Sequence, residues 1–218
     1  MNYFSLSVVS GYSILPAVII GLVRFKIIDK AYRPFITICV VALCNELTSM
    51  LMIHIYKTNA VNANIYVLVE FALYCWQFRC WNSLSTKSWH FLTVISFMSS
   101  IWVYENILTG EITSFNSLFR ICASFCIIFL SIDQVNRLIA MARGNLFRNS
   151  LFLICMGLII FFSYKSVIEV FYLLRLPLSD VFYDNIFFLL TLINIFVNLI
   201  FAIAVLWIPT KQKFILPY

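Results

Sequence analysis

Charge is what this chain has least of: Asp, Glu, Lys and Arg make up 11% of its 218 residues, against about 25% in soluble domains. A soluble protein of that length could not cover a composition that is 63% hydrophobic, so lipid must be the solvent for much of the surface. Histidine is nearly missing, with only His54 and His90 present. Two distant imidazoles cannot supply the ligand sets of metal-dependent hydrolases. Motifs that carry soluble-type chemistry are lacking too: there is no Gly-x-Ser-x-Gly, no His-Glu-x-x-His and no glycine-rich phosphate loop. The seven cysteines, Cys39, Cys44, Cys75, Cys80, Cys122, Cys126 and Cys155, all fall in apolar runs without a Cys-x-x-Cys pair. They read as small apolar residues, and neither a metal nor a cofactor is expected.

What is present is a series of long apolar runs. Crossing ~30 Å of hydrocarbon takes about 17–25 helical residues. Such stretches occupy 5–23, 35–56, 65–81, 90–108, 117–135, 151–174 and 186–208. The expected fold is therefore all-α, one bundle of seven transmembrane helices with no soluble domain. The net charge of +6 does not point to nucleic acid, because the basic residues sit in short clusters between the apolar runs. Arg24, Lys26, Lys30 and Arg33 follow the first stretch, Arg79 and Lys87 the third, Arg137, Arg143 and Arg148 the fifth, and Lys211 and Lys213 the last. Only Lys57 and Arg175 fall in the alternate connections, while Arg120 and Lys165 lie inside stretches. The positive-inside rule then places the N-terminus outside and the C-terminus in the cytoplasm. The first run lacks a basic leader and a small-residue cleavage site, so it is expected to be retained.

The polar residues inside these runs are the candidates for function, since an ionisable group at membrane depth needs a partner or a task. The hairpin at 44–78 carries Glu46 and Glu70, one per helix, around a polar turn at 57–64. Tyr66, Glu70, Tyr74 and Gln77 share one face of the third helix, which should turn inward. The fourth has a milder stripe of Ser96, Ser100 and Tyr104. Asn116, Arg120 and Ser124 share a face of the fifth, Lys165, Glu169 and Tyr172 one of the sixth, and Thr191, Asn194 and Asn198 mark the seventh. Lys165 and Glu169, one turn apart, read most simply as an intrahelical pair. Topology puts Glu46 and Asn194 near mid-membrane and Glu70, Arg120, Lys165, Glu169 and His54 in the outer half. The expected site is an outward-facing polar pocket closed toward the cytoplasm by apolar packing. Trp76, Trp81, Trp89, Trp102 and Trp207 lie near helix ends and read as interface anchors.

The Asn-Ile-Tyr-x3-Glu-Phe stretch at 64–71, following a helix with Asn45-Glu46, resembles uncharacterised small multi-pass membrane proteins of bacteria. That resemblance covers the second and third helices best, supports a recurrent hairpin, and brings no activity or site residues; the bundle is expected to lie in the inner membrane. The leading expectation is a transporter or ligand-sensing module that binds a small molecule or ion. A membrane scaffold is the alternative, with a second copy or a membrane or cytoplasmic protein as its partner. An intramembrane lipid hydrolase using Glu46 and Glu70 as paired carboxylates is a third reading. Two three-helix repeats, as in small sugar transporters, are disfavoured because Pro16 is followed by Ala17 and the last helices do not repeat the first. Retinal binding is disfavoured because the last helix has no lysine.

Overall fold

Apolar runs in lipid must satisfy their backbone groups internally, and the helix is the local way to do so. The computed structural model describes residues 3–81, 88–141, 145–174 and 179–210, and the regular elements among them are helical. They are α1 (Tyr3–Tyr12), α2 (Leu15–Arg24), α3 (Arg33–Tyr56), α4 (Ala60–Cys80), α5 (Ser88–Val103), α6 (Leu118–Met141), α7 (Ser150–Leu173) and α8 (Asp180–Leu206). Five helical stretches are long and apolar enough to cross a membrane: Lys30–Tyr56, Phe91–Leu108, Leu118–Ala140, Ser150–Leu173 and Val181–Leu206.

The other two expected stretches depart from the pattern for identifiable reasons. The expected 5–23 helix is two helices, α1 and α2, broken at Ser13 and Ile14. Pro16 has no N–H to give to the carbonyl of Tyr12 in the preceding turn, and at the break the Ser13 N–H and hydroxyl both donate to the Ser10 carbonyl, at 3.2 and 2.6 Å. The expected 65–81 helix begins earlier, at Ala60, and the polar turn shrinks to Lys57–Asn59. Lys57 closes α3 in the left-handed conformation, φ 60°, with its N–H on the Ile53 carbonyl. Asn62 and Asn64 can be helical because their amides find partners on neighbouring segments. Those asparagines, with Glu70, Gln77 and Arg79, keep α4 less apolar than its neighbours.

Ser10 reaches Thr191, Ser13 reaches Asn198, and Arg24 reaches the carbonyls of Val205, Leu206 and Ile208. The α1–α2 rod therefore runs alongside α8 in the same direction. α7 packs between α6 and α8, α3 packs on α4, and α5 touches only the rim of α4 and α6. Trp89, Leu92 and Phe97 of α5 are exposed, as are Val23, Phe129 and Val181 elsewhere on the outside. Faces of this kind suit contact with lipid.

The two ends of the bundle differ. At the α2–α3 end, Ile28, Phe35, Ile36, Phe78, Ala204, Val205 and Ile208 are almost wholly buried. Ile28 bridges Thr210, the Asp29 N–H donates to the Pro209 carbonyl at 3.1 Å, and Gln77 Nε2 donates to the Ala31 carbonyl at 2.7 Å. Arg24, Lys26, Lys30, Arg33 and Arg79 belong to this end, while Lys87, Arg143, Arg175, Lys211 and Lys213 lie outside the described residues. The α3–α4 end holds the space and the buried charge.

Candidate functional site

The site grows from one face of α4. Its buried residues, Ala60, Asn64, Val67, Glu70, Phe71, Tyr74, Cys75, Gln77 and Phe78, recur every three or four positions, the spacing of a single helical face. Glu70 from this face meets Lys165 of α7, with Nζ donating to Oε2 at 3.5 Å. The Tyr66 hydroxyl donates to the other oxygen of Glu70 at 3.2 Å. Lys165 also lies over the rings of Phe161 and Phe162, at 5.7 and 5.3 Å from their centroids. Glu169, one turn further along α7, turns to α6 instead. It receives Arg120 Nη1 at 3.4 Å and the Ser117 hydroxyl at 2.6 Å. The expected Lys165–Glu169 pair is thus replaced by two interhelical pairs. Each acid reaches a base on another helix, and a cross-helix pair satisfies both charges in a single contact.

Asn64 joins this cluster to the connections at the same end. Its side-chain oxygen accepts from Arg120 Nη2 at 3.0 Å, and its NH2 donates to the carbonyls of Ile112 and Ser114 at 3.0 and 2.7 Å. Its backbone carbonyl accepts from the Trp102 indole at 2.8 Å. Trp102 is therefore an internal tie, whereas Trp76, Trp89 and Trp207 are exposed. Glu105, in the wider π-type turn that ends α5, accepts the N–H groups of Leu118 and Phe119 at 2.7 Å each. A carboxylate there complements the positive N-terminal end of α6.

Three cavities adjoin these pairs. A chamber of about 200 Å³ lies between α1–α2, α3, α4, α7 and α8, lined by Glu46, Tyr66, Glu70, Tyr74, Lys165, Asn194 and Asn198 above a floor of Ile14, Phe35, Ile38, Val197 and Phe201. A vestibule of about 770 Å³ shares Gly11, Glu46, Tyr66 and Lys165 with it, and its wall runs past Asn45, Ser49 and His54 to Lys57 and Asn59 in the α3–α4 turn. A third space of about 600 Å³, between α6, α7 and α8, has Arg120, Glu169, Ser117 and Glu105 beside Phe115, Phe187 and Leu190.

Glu46 stands apart from the paired charges. It is half-buried on the wall shared by chamber and vestibule, and among the described residues no hydrogen bond or ion pair reaches its carboxylate. Space for it comes from Gly11: a Cβ at that position would sit 2.8 Å from Glu46 Oε2. Across the chamber, Asn194 donates to the Ser10 hydroxyl at 2.9 Å and Asn198 to the Ser13 hydroxyl at 2.7 Å. The break in the N-terminal rod is thus tied to α8 at chamber level.

Of the residues singled out from sequence, Glu46, Glu70, Tyr66, Tyr74, Lys165, Asn194 and Asn198 share the chamber. Arg120 and Glu169 meet in the adjoining space, and exposed His54 lines the vestibule. Gln77 is outside the site, held at the opposite end by Ala31. The Ser96–Ser100–Tyr104 stripe is exposed, and Ser100 donates to the Ser96 carbonyl one turn back. Asn64, Ser117, Glu105, Gly11, Ser10 and Ser13 were not anticipated. Asn64 alone had a signal, its spacing on the Val67, Phe71 and Tyr74 face. The cysteines are free thiols, with Cys39, Cys75 and Cys155 buried. Among the described residues no group of three His, Cys, Asp or Glu could hold a metal. Comparisons of the chain with protein-family models, curated proteins and solved structures give no match.

Chemically, the arrangement offers a small polar chamber with an apolar floor, two matched ion pairs at its edge and one acid with nothing matched to it. Such a wall can hold a solute or exchange a proton. Glu70 is engaged by Lys165 and Tyr66 rather than shared with Glu46.

Proposed function

We propose that this chain is an integral membrane protein that crosses the bilayer seven times, with α1 and α2 as one crossing, its N-terminus outside and its C-terminus in the cytoplasm. Its function is to bind a small molecule or ion in the chamber, as a transporter or a ligand-sensing module, with the vestibule as the route from outside. One observation carries this reading. A carboxylate with no partner among the described residues lines a cavity that continues into a vestibule reaching the α3–α4 turn. An unmatched acid at membrane depth is costly, and an occupant that neutralises it offsets that cost. The scaffold reading draws less support, since the Ser100 hydroxyl on the exposed stripe is already satisfied within its own helix.

The test uses His54→Cys in the vestibule and Glu46→Cys in the chamber, each in a variant whose seven native cysteines are replaced by serine. A small impermeant thiol reagent added from outside should label both in intact cells, His54→Cys faster. Labelling from the cytoplasmic side alone would overturn the orientation. Native mass spectrometry after gentle purification should show a small non-lipid adduct that Glu46→Gln removes. If no adduct appears and neither cysteine is labelled from either side, the binding function falls.

A further inference from the structure

Resting on the proposed binding function, we infer that the chamber takes a small organic cation with a single positive charge, of the alkylammonium type. The charges around it do not balance. Lys165 is matched to Glu70 and Arg120 to Glu169, which leaves Glu46 as the acid on the wall that no base is matched to among the described residues; ionised, it adds one negative charge. A monovalent cation cancels that charge, while an anion would double it.

The hydrogen-bonding groups point the same way. The NH2 groups of Asn194 and Asn198 are committed to the hydroxyls of Ser10 and Ser13. Those hydroxyls in turn donate to the Thr191 and Ser10 carbonyls. The Tyr66 hydroxyl is given to Glu70. These hydroxyl donors are therefore spent inside the protein, while the Lys165 ammonium keeps N–H groups beyond the one given to Glu70. Glu46 and the asparagine carbonyls add acceptor oxygen to the wall. Acceptors of this kind suit a ligand that donates, as an ammonium group does.

The rest of the lining argues for an organic cation over a bare ion. Phe35, Phe161, Phe201 and Tyr74 give the chamber aromatic faces beside Ile38 and Val197, and such faces attract alkylated ammonium groups. A metal ion would use none of that surface and would want several more oxygens. The volume, about 200 Å³, falls below the roughly 300–1,000 Å³ of drug-sized sites, which limits the occupant to a few carbons.

The test measures thermal unfolding of the full chain in detergent against ethylammonium and trimethylammonium chloride, with sodium chloride and sodium acetate as controls at equal ionic strength. Binding to the folded state should raise the transition temperature saturably for at least one alkylammonium salt and for neither control. Glu46→Gln should weaken the apparent affinity by at least about tenfold, the loss expected when a charged hydrogen-bond partner is neutralised. Gly11→Ala, which crowds the carboxylate without removing it, should weaken it as well. If Glu46→Gln unfolds, Gly11→Ala decides the same point. An equal shift from sodium chloride overturns the organic cation in favour of an inorganic one. A shift from acetate, or an alkylammonium shift that survives both substitutions, overturns the cation altogether. Should Glu46→Gln abolish a neutral or anionic adduct in native mass spectrometry while no ammonium salt acts, the cation falls and the binding function stands. If no probe acts and no adduct appears, both fall.

Discussion

The end of the bundle that carries the α3–α4 turn keeps its buried polar groups as side-chain pairs around open space. The α2–α3 end sets Arg24 and Gln77 against backbone carbonyls and buries Ile28, Phe35, Ile36 and Phe78. Arg24 spends its guanidinium on the carbonyls of Val205, Leu206 and Ile208, and Gln77 spends its amide on Ala31. These contacts satisfy helix ends that would otherwise be orphaned. Around the chamber, by contrast, Glu70, Lys165, Arg120 and Glu169 satisfy one another. A pair of side chains can exchange partners when a ligand arrives, whereas a helix end has no alternative partner. One end is built for closure, and the other keeps its options near a cavity.

Breaking the paired end should have the largest effect. Glu70→Leu or Lys165→Met alone strands one buried charge, and each is expected to lower stability by about 3–5 kcal/mol, with the double substitution much closer to the parent. Unfolding in mixed micelles as a double-mutant cycle measures this; additive losses would mean the two groups are not coupled. Next comes Asn64→Leu, which removes a partner from two carbonyls and one guanidinium nitrogen and should cost about 1–3 kcal/mol in all, because Arg120 keeps Glu169. The same unfolding assay follows it, and a neutral result would remove Asn64 as the link between α4, α6 and the α5–α6 connection. Arg24→Met at the closed end should cost about 1.5–3 kcal/mol, the worth of hydrogen bonds from a charged group. Its signature is faster amide exchange in the last turn of α8 with the chamber pairs unchanged. Smallest of all among the losses, Glu46→Gln should leave stability unchanged or slightly raised, because it removes an unmatched acid. A large loss there would mean that Glu46 has a structural partner after all and would dissolve the contrast between matched and unmatched acids.

Much of this was legible from the residues, and the rest failed for physical reasons. Apolar run length follows from bilayer thickness, so six of the seven helical stretches could be placed to within about six residues at each end, while the first is broken in two. The face carrying Tyr66, Glu70 and Tyr74 followed from 3.6-residue periodicity. Periodicity within a helix cannot, however, choose among partners on other helices. Lys165 and Glu169, one turn apart, looked like each other's partners, yet the packing of α7 between its neighbours gives each a better one. Nor could a serine-proline stretch announce that Ser10 and Ser13 would meet asparagines 184 and 185 residues away. Gly11 is silent in the sequence, because its role is only to leave room for Glu46.

The attachment of the N-terminal rod to α8 also carries a cost in time. Ser10, Ser13 and Arg24 find their partners on a helix made more than 180 residues later. Until α8 leaves the ribosome, the N-terminal rod lacks the partners of Ser10 and Arg24, and the chamber lacks a wall. The arrival of α8 therefore completes the site. A chain truncated before α8 should be retained by membrane quality control, and α8 supplied as a separate peptide should rescue it, a result that pulse-chase labelling would register as a longer half-life.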